Sequence, residues 1–110
     1  MSGASEKARR AALRMLERRA YSRRELVDRL ERRGHDREAG EAAVDALARA
    51  GIVDDRALGE SVVRAELARI PAGRALLEMK LVKRGIDREM ASEIVREALA
   101  ERGSDEDAEE

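Results

Sequence analysis

The 110-residue chain has no cysteine, tryptophan or phenylalanine, a single tyrosine, a single proline and a single histidine. Without cysteine there is no disulfide framework, no thiolate nucleophile and no cysteine-ligated zinc. With Tyr21 as the lone aromatic, the interior has to be built from Leu, Ile, Val, Met and Ala, and base stacking along a single strand of nucleic acid is poorly served. No apolar run approaches the ~20 residues that span a bilayer, and the start lacks a signal-peptide core, so a soluble cytoplasmic protein without a membrane partner is expected. Gly34, Gly51 and Gly85 stand singly, as helix stops, and not in the cluster that cradles a phosphate.

What the chain does have is repetition. Arg23, Leu26, Leu30, Arg33, Gly34, Asp36, Arg37, Glu38 and Val44 recur 51 residues later as Arg74, Leu77, Leu81, Arg84, Gly85, Asp87, Arg88, Glu89 and Val95. A period of this size marks stacked supersecondary units, whose usual product is an elongated, curved, solenoid-like surface that grips a macromolecule. Hydrophobic and charged residues each make up 43% of the chain, and a composition rich in Ala, Glu, Arg and Leu is that of an all-α protein.

Periodicity and caps place about six helices. Ala8, Ala11, Ala12, Met15 and Leu16 follow helical spacing in a first helix ending near Arg19. Ser22 with Glu25 reads as a capping box, and Tyr21 with Leu26 as a hydrophobic staple, opening a second helix whose buried stripe is Leu26, Val27 and Leu30. Gly34 suits the left-handed turn that ends it. Asp36 caps a third helix with Ala39, Ala42, Ala43, Ala46 and Leu47 inward, and Gly40 within it implies either close helix approach or local weakness. The second unit repeats the scheme: Asp54 or Asp55 caps a helix carrying Leu58, Val62, Ala65 and Leu67; Leu76, Leu77 and Leu81 mark the next; Asp87 caps the last, with Met90, Ala91, Ile94, Val95, Ala98 and Leu99 inward. The expected organisation is a three-helix repeat over residues 1–51, a second over 52–102, and a disordered acidic tail over 103–110.

Catalytic arrangements have better structural explanations. His35 aligns with Ile86 in the repeat register, and a general base has no reason to occupy a slot its sister unit fills with isoleucine. Asp54 and Asp55 sit where a helix begins, so capping accounts for one and the helix dipole favours the other. No catalytic residue, metal site or cofactor is expected.

The net charge of −1 hides an uneven distribution, with a surplus of +6 over residues 1–34. Four basic positions coincide between the units: Arg23 with Arg74, Arg29 with Lys80, Arg32 with Lys83, and Arg33 with Arg84. All lie on the second helix of their three-helix group, and they are the candidate partner-binding residues. Such residues suit a polyanion or an acidic protein surface, so direct contact with single-stranded or duplex DNA through the basic amino-terminal half is an alternative function.

Taken together, Ser22-Arg-Arg-Glu-Leu26, Leu30-Glu-Arg-Arg-Gly34, Gly51-Ile-Val-Asp-Asp55 and Leu81-Val-Lys-Arg-Gly85-Ile86 resemble the RecX family, bacterial regulators of the RecA recombinase. The resemblance runs from about Ala12 to Leu99. It implies tandem three-helix repeats that bind the RecA filament on single-stranded DNA and limit its growth or promote its disassembly, with no enzymatic activity and no cofactor. Family members usually carry aromatics where this chain has Leu58, His35 and Ile52, and commonly a third repeat, so the chain reads as a short two-repeat variant, expected to be a monomer.

Overall fold

A computed structural model describes residues 2–109, with side chains through residue 103. Six helices follow one another: α1 (Gly3–Leu16), α2 (Arg23–Arg32), α3 (Arg37–Arg49), α4 (Asp55–Arg69), α5 (Arg74–Lys83) and α6 (Arg88–Glu109), with no strand among the described residues. They fall into two compact units, Met1–Asp55 and Arg56–Glu110. The boundary lies after Asp55, four residues beyond the expected Gly51, because Val53 is buried in the first core and the Asp55 carboxylate bonds back to α2. Helix α6 runs through Glu109, past the 102/103 break that composition suggests. The expected tail falls on residues whose side chains lie outside those described.

In the first unit, α2 begins with a complete capping box. The Ser22 hydroxyl accepts from Glu25 N–H at 3.1 Å, and the Glu25 carboxylate accepts from Ser22 N–H at 2.9 Å, which satisfies two donors a helix start would leave orphaned. Gly34 takes φ 96°, out of reach of most side chains, and lets His35 N–H return to the Leu30 carbonyl at 3.0 Å to close the helix. Asp36 then caps α3 by accepting from Ala39 N–H. The core is Ala8, Ala11, Ala12 and Met15 of α1 against Leu26, Val27, Leu30, Ala43, Val44 and Leu47. Alanines on α1 let it approach α3 closely, which is how so few large side chains fill the unit. Helix α1 stops at Leu16, short of Arg19, and Ala42 faces solvent while Val44 takes the inward place.

The second unit reuses the turn. Gly85 takes φ 89° and Ile86 N–H bonds the Leu81 carbonyl at 3.1 Å. Its core joins Leu58 and Val63 of α4 to Leu77, Leu81, Ile86, Ala91, Ile94 and Val95. Two apolar assignments differ from expectation. Ala65 is exposed because the buried arc of α4 is centred on Gly59, Val63 and Glu66. Leu76 is 36% exposed because the inner stripe of α5 is Leu77 and Leu81, one turn apart.

Candidate partner-binding surface

The eight duplicated cations separate into engaged and outward-reaching groups. In the first unit, Arg23 pairs with Asp45 at 2.9 Å, and Asp45 also holds Arg49. Arg29 lies over the Tyr21 ring, 5.0 Å from its centroid, as does Arg19 at 4.5 Å, so the lone aromatic serves as a platform for two guanidinium groups. Arg32 and Arg33 are exposed; Arg32 reaches only the Asp28 carbonyl of its own helix, at 3.4 Å, and Arg33 has no side-chain partner among the described residues.

In the second unit, Arg74 donates to Glu78 at 2.9 Å and to the Ser92 hydroxyl at 3.2 Å. Lys80 sits 3.2 Å from Glu66, a buried carboxylate that Arg69 also reaches at 3.1 Å. The Lys80 ammonium holds the Glu66 carboxyl below the usual carboxylate range. Arg84 is half-buried and not free, whereas Lys83 is exposed with no partner among the described residues. Arg32, Arg33 and Lys83 are thus the candidate cations left available, each at the carboxyl end of a duplicated helix, where positive charge also complements the helix dipole. Arg23, Arg74 and Lys80 are occupied within their own units.

Two features escaped sequence reading. Lys7, Arg10 and Arg14 lie three and four residues apart on α1, all exposed and none in a salt bridge among the described residues; their spacing is the available signal. Asp55 does not serve its own helix alone. Its carboxylate accepts from Arg23 N–H at 2.9 Å, filling one of the open donors at the start of α2. Partial burial pushes the Asp55 carboxyl above its ordinary value, opposed by that hydrogen bond. His35 is half-buried at the position Ile86 fills in the other unit. No group of three or more potential metal ligands converges among the described residues, and no helix among them is long and apolar enough to cross a membrane.

Two three-helix units, each ending its second helix in a glycine turn and carrying exposed cations there, define a helical-repeat protein. Residues 8–47 match the family model described as "RecX, first three-helix domain". The chain is 38% identical over 95 residues to "Regulatory protein RecX" of Halorhodospira halophila, an alignment covering 86% of this chain and 58% of that one. It is 33% identical over 100 residues to the Mycobacterium tuberculosis protein of the same name, covering 89% and 58%. The crystal structure of RecX from Lactobacillus salivarius superposes with a TM-score of 0.80 at 21% identity, over 100% of this chain and 79% of the other, which establishes the fold. The chain spans about half the length of the curated relatives it matches. It belongs to the RecX family.

Proposed function

We propose that this chain is a non-enzymatic, cytoplasmic regulatory protein that binds the RecA nucleoprotein filament and inhibits recombination. The reading rests on family membership and on the name "Regulatory protein RecX" carried by its relatives. The observation that favours a binding role most is the duplicated cationic helix end: Arg32 and Arg33 in one unit and Lys83 in the other project from equivalent helices. Arginine and lysine in this setting suit an acidic protein surface or a phosphate backbone. The test is co-sedimentation of the chain with RecA assembled on single-stranded DNA, alongside the same DNA without RecA. Retention that requires RecA supports the reading, and the chain remaining in the supernatant with filaments present contradicts it.

One observation favours a second reading, direct nucleic-acid binding: Lys7, Arg10 and Arg14 form an exposed cationic row on α1, none of them in a salt bridge among the described residues. Binding through such a row weakens steeply between low and moderate salt even without recombinase, because each neutralised phosphate releases counterions.

A further inference from the structure

The repeat register exposes a concerted substitution on the outer face of the second unit. In the first unit Arg37 bonds Asp28 and Glu31 of α2, each at 3.1 Å, and Glu41 of α3 at 3.2 Å, strapping the two helices together. Fifty-one residues on, Arg37 becomes Arg88, but Asp28, Glu31 and Glu41 become Met79, Val82 and Ser92. Arg24, one turn before Asp28, becomes Ala75. The cation is kept and all three of its carboxylates are gone. No carboxylate among the described residues pairs with Arg88, and Glu78 nearby is held by Arg74. Ala75, Glu78, Met79, Val82 and Arg88 together line a groove of about 290 Å³. Met79 is 58% exposed and Leu76 lies beside it, so the strip meets solvent along α5.

Val82 packs partly against the core, but the exposed Met79 and the Arg88 guanidinium gain nothing from their placement in the isolated chain. Scattered exposed aliphatics are ordinary, but here three positions along one face of α5, spaced four and three residues apart, have exchanged charge for carbon together. Arg88 meanwhile sits in the first turn of α6, where the helix dipole disfavours positive charge and where Arg37 has three carboxylates to offset it. A ligand that supplies aliphatic side chains to the strip and a carboxylate to Arg88 would satisfy both.

We propose that the α5 strip is a docking site for an amphipathic helix of a partner protein, bearing aliphatic residues at three- and four-residue spacing and a flanking Asp or Glu that pairs with Arg88. Aliphatic anchors at that spacing are the means by which a helix is read in a groove, and the unpaired guanidinium sets polarity and specificity. The pairing assigned to Arg88 is independent of Lys83, which lies one turn beyond Met79 on the same helix.

The test uses the full chain with isotopically labelled methyl groups and two capped helical peptides. One carries leucines three and four residues apart and a flanking glutamate among alanine and glutamine; its twin has lysine in place of the glutamate. Titration should move the Met79 and Val82 methyl resonances, with the glutamate peptide binding about tenfold more tightly than its twin. Arg88→Glu keeps the fold, since an acidic residue suits the first turn of a helix, and should reverse that preference. Met79→Glu, an exposed change that leaves the melting transition in place, should weaken both peptides. Shifts centred away from α5, an order of preference that Arg88→Glu leaves unchanged, or absence of binding at millimolar peptide would each overturn the proposal. So would Met79 signals that move with protein concentration alone, which would assign the strip to a second copy of the chain. Because no recombinase is present, none of these outcomes bears on the filament reading.

Discussion

The two units share a turn and a core but differ in how they are finished at their edges. Both close their second helix with a glycine in the left-handed region, and both bury a leucine completely just before it, Leu30 in one and Leu81 in the other. At the start of that helix the first unit has Ser22 in a reciprocal capping box, where the second has Gly73 without any side-chain cap. On the outer face the first unit has a strap of ion pairs around Arg37, where the second has Met79, Val82 and an Arg88 without a carboxylate partner among the described residues. Duplication has preserved what specifies a three-helix unit and has left free to diverge what decorates it. The first unit closes this face with ion pairs, and the second leaves Met79 and a guanidinium exposed there.

The largest expected effects test the shared part. Leu30→Ala and Leu81→Ala should each cost roughly 2–5 kcal/mol in urea denaturation, because both side chains are fully enclosed in cores with little else to collapse onto them. A much smaller loss for one of them would break the equivalence of the two cores.

Glycines give a sharper contrast. A Cβ at Gly59 would come within 2.6 Å of the Ile94 Cδ1 and 3.2 Å of the Ile86 Cδ1, end methyls of two buried isoleucines, so Gly59→Ala sets crowding in the core against the helix propensity that alanine adds and should lower stability by up to about 1 kcal/mol. A Cβ at Gly40 would meet only Leu30, at an ordinary 3.7 Å, and the second unit already has Ala91 at that place in the register. Gly40→Ala should therefore raise stability by up to about 1 kcal/mol. Equal signs for the two substitutions in thermal melts would contradict the packing described.

Capping should give intermediate values of opposite sign. Ser22→Ala removes a buried cap and should cost about 1 kcal/mol, whereas Gly73→Ser combined with Leu76→Glu transplants the capping box onto α5 and should gain a few tenths. Denaturation midpoints of the two variants against the parent chain decide this.

The smallest effects concern pH. Glu66 titrates below its ordinary range in the fold, so its favourable contribution is present above the unfolded carboxylate value and is lost as pH falls through the folded one. Asp55 titrates above its ordinary value, so the folded state takes up its proton more readily, and the stability linked to that uptake fades as pH rises through the folded value. Asp55→Asn should then stabilise the chain slightly at neutral pH and converge on the parent below about pH 4, while Glu66→Gln should be worse than the parent at neutral pH and converge with it in acid. Stability curves measured across that range check the two signs independently.

The fold was largely legible in the sequence because its determinants are local. A Ser-x-x-Glu box, aspartates before helices and glycines after them act over three to six residues, and the register repeats the message. Side-chain placement was less legible. The exposure of Leu76, Ala65 and Ala42, and the inward Glu66, depend on which arc of each helix a neighbour covers, which periodicity locates only to within a residue. The bond from Arg23 to Asp55 joins residues 32 apart, and no local pattern announces it. The candidate surface suffered most: sequence could align eight cations but could not tell those tied to Asp45, Tyr21, Glu78 or Glu66 from those reaching outward. Pairing across helices is a tertiary property.

That sorting leads to the measurement closest to the central claim. Arg32→Glu with Lys83→Glu reverses one outward cation in each unit, and neither residue has an ion pair to lose among the described residues. The variant's melting transition would be confirmed first, and both chains would then be titrated into RecA-driven strand exchange. The account predicts that the parent chain inhibits the reaction and that the folded double variant loses most of that inhibition, because two like charges now face the acidic partner surface. Inhibition of equal strength by the two chains would contradict it and remove these helix ends from the binding surface.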